Sequence, residues 1–104
     1  MKRYQLLIDG EWRDSSTGNW TPNHNPANTD DVIGEFASAG ADDVSAAVDA
    51  AQRAFPGWRG TPMVKRGDIL YKAANLLEAR LEEVAQAMTR EEGKTLPEAR
   101  GETA

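Results

Sequence analysis

The chain has 104 residues, room for one domain at most. Seventeen Asp and Glu against twelve Lys and Arg leave a net charge of -5, the wrong sign for a nucleic-acid backbone or an anionic membrane surface. With no cysteine, the chain has no disulfide framework, no thiolate zinc site and no cysteine nucleophile of its own.

Mean hydropathy is -0.64, and no apolar run approaches the ~20 residues of a membrane helix. Met1-Lys2-Arg3 is charged, but no apolar stretch follows, so it does not read as a secretory signal. The expected setting is cytoplasmic. Leu, Ile, Val and Phe supply seventeen residues, and sixteen alanines make up part of that deficit. Alanine favours helix but buries little area, so its helices need a close neighbour. A chain this short and this poor in large aliphatics is marginal alone, which points to a piece of something larger.

The first stretch reads as strands. Tyr4, Leu6 and Ile8 alternate, and Asp9-Gly10 before Glu11-Trp12-Arg13 is a two-residue hairpin signal. A second turn cluster, Ser15 to Asn19, precedes Trp20, and residues 22–31 carry turn and loop chemistry. Val32 to Ala37 reads as a short strand weakened by Gly34.

The remainder is helical. Val44, Ala47, Val48, Ala51, Ala54 and Phe55 line one helix face, with Asp42 and Asp43 at the positive end of the dipole. Asp49 and Arg53 are spaced to pair outside, and Pro56-Gly57 is the expected stop. Thr61 is the expected cap of the next helix, with Pro62 at its first position. That apolar face runs from Leu70 to Met88, long enough to predict a break between Glu78 and Glu82, and Gly93 closes it. Thr95-Leu96-Pro97-Glu98 is a capping box opening another helix. Under two turns remain to Ala104, so that helix is expected to need further chain. No internal repeat or low-complexity segment occurs.

No catalytic constellation emerges from the residues. Gly93-Lys94-Thr95 resembles the tail of a phosphate loop, but Met88 stands where the first glycine belongs and a helix precedes it. His24 is a single loop imidazole without a second ligand. Asn19-Trp20-Thr21 fits the glycosylation pattern, incidental without a secretory signal. The pairs Asp30/Asp31, Asp42/Asp43, Glu82/Glu83 and Glu91/Glu92 read as solvated faces or dipole partners, because adjacent helical residues point about 100° apart. Trp12, Trp20 and Trp58 read as packing anchors rather than a stacking platform.

The order of motifs resembles the opening of an aldehyde dehydrogenase. The residues concerned are Ile8-Asp9-Gly10-Glu11-Trp12, Asn25-Pro26-Ala27 with Val32-Ile33-Gly34, and Ala46 to Ala51 with Ala54 to Trp58. Arg66 with Ile69-Leu70, Glu91 to Leu96 and Glu98 to Glu102 follow in register, so the resemblance runs from about Leu7 to the last residue. Leu70-Tyr71-Lys72, Thr89-Arg90-Glu91 and Lys94 to Ala99 are most similar to the branch that oxidises 2-oxoglutarate semialdehyde (2,5-dioxovalerate).

The resemblance implies an α/β enzyme of aldehyde dehydrogenase type. This segment would supply short N-terminal strands with a hairpin, over roughly 4–37, then three to four α-helices over roughly 41–104 flanking the coenzyme-binding domain. The catalytic domain and most of the coenzyme domain would lie outside the chain. In such enzymes a cysteine attacks the aldehyde, hydride passes to NAD or NADP, and a glutamate activates water to hydrolyse the thioester. No catalytic or cofactor-binding residue is expected here, and no cofactor is expected to bind this segment alone. The implied partners are the rest of the enzyme chain and further copies in a homo-oligomer, with no nucleic acid and no membrane. Some members hold a structural monovalent cation between a backbone carbonyl near the Asn-Pro turn and an acidic side chain before Gly-Lys. The matching positions are Asn25 and Glu92, where the family more often has Asp. The rival reading is a self-contained, non-catalytic helical interaction module derived from that fold.

Overall fold

The computed structural model describes residues 1–104. In chain order the elements are β1 (Arg3–Tyr4), β2 (Leu6–Ile8), β3 (Glu11–Arg13), β4 (Trp20–Asn25), β5 (Asn28–Ala37), α1 (Ala41–Gly60), α2 (Met63–Ala79), α3 (Leu81–Glu92) and α4 (Leu96–Thr103). Short strands followed by four helices give the α/β segment the sequence implies. β5 lies between β1 and β4 in one sheet, and β2 pairs with β3 in another. No helix is long and apolar enough to cross a membrane. The residues cluster into two compact units, Met1–Asn23 with Gly34–Gly60, and His24–Ile33 with Thr61–Ala104.

In the first unit, Asp9 (φ 54°) and Gly10 (φ 76°) make the predicted two-residue turn, and Leu6, Leu7 and Ile8 face Arg13, Trp12 and Glu11. The alternation from Tyr4 to Ile8 is not one strand, however. Tyr4 pairs in parallel with Phe36, whereas Leu6 pairs antiparallel with Arg13. The chain changes sheets at Gln5, whose side-chain amide donates to Asp14 at 2.8 Å. The Tyr4 and Phe36 rings stack at 4.6 Å, and the Arg3 guanidinium donates to Glu35 at 2.8 Å. Gly34 does not weaken β5; it admits β1. A Cβ there would sit 2.6 Å from the Tyr4 ring and 2.8 Å from the Lys2 carbonyl oxygen.

α1 runs through Pro56 to Gly60 rather than stopping at Pro56-Gly57. Proline removes a single intrahelical donor, and a final turn follows with Arg59 at the negative end of the dipole. Arg53 reaches Asp9 at 3.5 Å instead of pairing with Asp49. The apolar stripe is turned outward: Val44, Val48 and Phe55 are 56%, 51% and 59% exposed, while Asp43 and Ala50 are buried. Trp12 and Trp58 are exposed too, so neither anchors a core. Trp20 instead lies under the Arg3 guanidinium, 4.8 Å from the ring centroid.

The second unit begins with a correction. Residues 22–31, expected as turn and loop, instead form the facing ends of β4 and β5, joined by Pro26-Ala27, and the strand expected from Val32 begins earlier, at Asn28. So short a connection permits only antiparallel strands, and backbone pairing needs no apolar side chains. His24 Nδ1 bonds the Thr29 carbonyl at 2.9 Å across this hairpin. α2 takes Pro62 itself as N-cap (φ -53°, ψ 141°), one residue later than expected. The ψ of Pro62 is extended rather than helical, so the first helical residue is Met63. The predicted break falls at Arg80 (φ -109°, ψ 18°), whose N–H is shared between the carbonyls of Leu76 and Leu77. Its guanidinium donates to Glu83 at 2.6 and 2.9 Å.

Gly93 closes α3 in the left-handed conformation (φ 74°), donating to the Thr89 carbonyl at 2.9 Å. The Glu98 carboxylate accepts from the Thr95 N–H at 3.2 Å and from its hydroxyl at 2.8 Å, opening α4. Eight residues of helix need tertiary support, and α3 provides it, since α3 and α4 pack on one another. Ala85 of α3 and Ala99 of α4 are fully buried. Small side chains let two helix backbones approach closely.

Candidate functional site

The candidate cation residues lie on two turns that the second unit brings into contact. Asn25 ends β4, and Glu92 ends α3. A Cβ on Gly93 would sit 2.9 Å from Cγ of Pro26 and 3.3 Å from the Ala27 nitrogen, so the two turns touch and only glycine fits. Below them, Asp31 accepts from Arg90 at 2.6 and 3.1 Å and from the Asn25 amide at 3.2 Å. Arg90, then Asn25, holds the Asp31 carboxyl below its ordinary value.

The expected ligands are the Asn25 backbone carbonyl and the Glu92 carboxylate, and the side chains of both residues already have partners. Asn25 Oδ1 accepts from the Ala27 N–H at 2.9 Å, and Glu92 lies 2.7 Å from Lys94 Nζ. Lys94 also donates to both oxygens of Glu102 at 2.8 Å. Glu102, then Glu92, raises the Lys94 pKa. No group of three or more His, Cys, Asp or Glu is placed to hold a metal ion. The same contacts dispose of the phosphate-loop likeness. Gly93 caps a helix, Lys94 is engaged by two carboxylates, and the Thr95 hydroxyl is bound to Glu98.

Several carboxylates read as solvated faces or dipole partners also hold structural hydrogen bonds. Asp43 is 7% exposed in the first unit. It accepts from the Gly40 N–H at 2.8 Å, from the Ser16 N–H at 3.0 and 3.1 Å, and from the hydroxyls of Ser16 (2.8 Å) and Ser15 (3.2 Å). Ser15 and Thr17 in turn bond the Ser38 carbonyl. The Gly40 N–H, followed by the Ser16 hydroxyl, holds the Asp43 carboxyl below the usual range. The signal was present as Gly40-x-x-Asp43, half a capping box with glycine at the N-cap. In the second unit Glu82 accepts from Arg100 at two positions of 2.8 Å and from Gln86 at 3.1 Å, which brings its pKa down to about 2.

What remains open is apolar. α2 buries no residue at all. At 3.6 residues per turn, its Met63, Val64, Ile69, Leu70, Tyr71, Leu76 and Leu77 spread over about two-thirds of the circumference, and all are exposed. In the first unit a groove of about 270 Å³ runs between β2 and α1, lined by Leu6, Ile8, Val44, Ala47 and Val48. In the second, one of about 350 Å³ is lined by Ala74, Leu77, Glu78, Leu81 and Thr103.

Known proteins share this arrangement. The sequence pattern of the "Aldehyde dehydrogenase family" matches residues 12–104. The chain is 48% identical over 101 residues to alpha-ketoglutaric semialdehyde dehydrogenase of Bacillus subtilis, covering 97% of this chain and 21% of that protein. It is 45% identical over 95 residues to alpha-ketoglutarate semialdehyde dehydrogenase of Haloferax volcanii, covering 91% and 20%. The crystal structure of an NAD-dependent aldehyde dehydrogenase from Sinorhizobium meliloti superposes with a TM-score of 0.92 at 38% identity, over 98% of this chain and 21% of that one. The chain thus spans about a fifth of the length of the relatives it matches.

Proposed function

The chain belongs to the aldehyde dehydrogenase family, and from that premise we propose that it is the N-terminal scaffold of an NAD(P)-dependent enzyme oxidising a dicarboxylic semialdehyde to the carboxylate. The observation that carries this reading is the family match over residues 12–104. The two semialdehyde dehydrogenases at 48% and 45% identity support the substrate class.

Chemistry would run on a cysteine outside these residues, which contain none. A thioester formed there is hydrolysed to the acid, and two electrons leave as hydride to the nicotinamide. This segment's own contribution is structural. Asp43 fixes the loop from Ser15 to Thr17 to the start of α1, and Gly93 lets the Asn-Pro turn seat against the end of α3. The outward faces of α1 and α2 pack on the remaining chain of a cytoplasmic homo-oligomer.

The test compares two purified proteins. The 104-residue chain alone should produce no reduced nicotinamide with any aldehyde, whereas the whole enzyme should, with a higher kcat/KM for dicarboxylic semialdehydes than for simple alkanals. Turnover by the short chain overturns the scaffold role, and a preference for alkanals overturns the substrate class. A native product of only 11.3 kDa in its source cells would favour a helical interaction module instead.

The Asn25/Glu92 cation belongs to the same proposal. It requires a cation to displace Lys94 from Glu92, so exchange of choline for Na+ or K+ at fixed ionic strength should raise the Tm of the whole enzyme. Indifference leaves Glu92 to Lys94 alone.

A further inference from the structure

We draw no further inference here: the strongest candidate, the uncovered apolar arc of α2 from Met63 to Leu77, belongs to the scaffold reading already given, and nothing in the structure shows another occupant for it.

Discussion

α3 with α4 and α1 with its strands solve the same problem in different ways. The α3–α4 pair encloses Ala85 and Ala99 completely and ties its rim with Arg100 to Glu82 and Lys94 to Glu102. α1 buries Ala50 and a carboxylate, Asp43, and leaves Val44, Val48 and Phe55 outside. One region has buried its small apolar contact and kept its charges at the edge. The other has put a charge inside and its apolar surface out. A buried carboxylate held by four donors can fix geometry, but it contributes no apolar burial. Order and stability are therefore supplied separately in α1, and together in α3–α4.

The largest effect expected concerns the open faces. Leu70→Ala on α2 should cost less than about 0.5 kcal/mol in the 104-residue chain, where the side chain is 65% exposed. In the whole enzyme the same change should cost about 2–5 kcal/mol, the range for a truncated core leucine. Paired urea titrations read both numbers, and equal costs would break the contrast between open and closed surfaces. Next comes Ala85→Leu, which forces three extra carbons into a fully buried site. A loss of about 1–3 kcal/mol is expected, with faster amide exchange in α4.

Glycine substitutions sharpen the picture further. Gly93→Ala combines a left-handed backbone with a contact of 2.9 Å to Pro26, whereas Gly10 has equal φ and open space. The backbone cost alone is about 1–2 kcal/mol. Gly93→Ala should therefore lower Tm more than Gly10→Ala, and equality would mean that the Pro26 contact yields freely.

The smallest effects are acid-dependent. Glu82 is lowered from 4.5 to about 2, so its contribution is present above pH 4.5 and fades as pH falls toward 2. Asp43, lowered from 3.8, behaves in the same sense below that pH. Glu82→Gln should flatten the acid limb of stability against pH for α3–α4, and Asp43→Asn should do so for the unit containing α1. Melts followed by exchange at residues in each region would separate the two, and an unchanged limb in either variant would remove that carboxylate from the account.

Local chemistry was legible in the sequence. Asp9-Gly10, Gly93 and Thr95-x-x-Glu98 each specify a conformation through atoms within a few residues, and each appears as read. Partners distant in sequence were not legible. Nothing near Asp43 announces Ser15 and Ser16, and nothing near Asp31 announces Arg90. The apolar stripe of α1 was read correctly as a stripe, but its spacing does not say that Val44, Val48 and Phe55 face outward. Residues 22–31 were misread for a related reason. A hairpin stitched by backbone and polar side chains lacks the alternation that marks a half-buried strand. For the candidate site, the meeting of the Asn25 and Glu92 turns follows from the fold, and the Lys94 ammonium between Glu92 and Glu102 does not follow from spacing.

The spans of these ties also set an order in time. Lys94 finds Glu102 across eight residues and Glu82 finds Arg100 across 18, whereas Ser16 reaches Asp43 across 27. Loop closure costs more as the loop lengthens, and helical contacts between neighbours form fastest. The α3–α4 hairpin should therefore acquire exchange protection before the Ser15–Thr17 loop docks on α1, although it is synthesised after both. Pulse-labelled refolding would see amides of residues 82–103 protected first. The Ser15–Thr17 loop has to wait for Asp43, which leaves the ribosome after it.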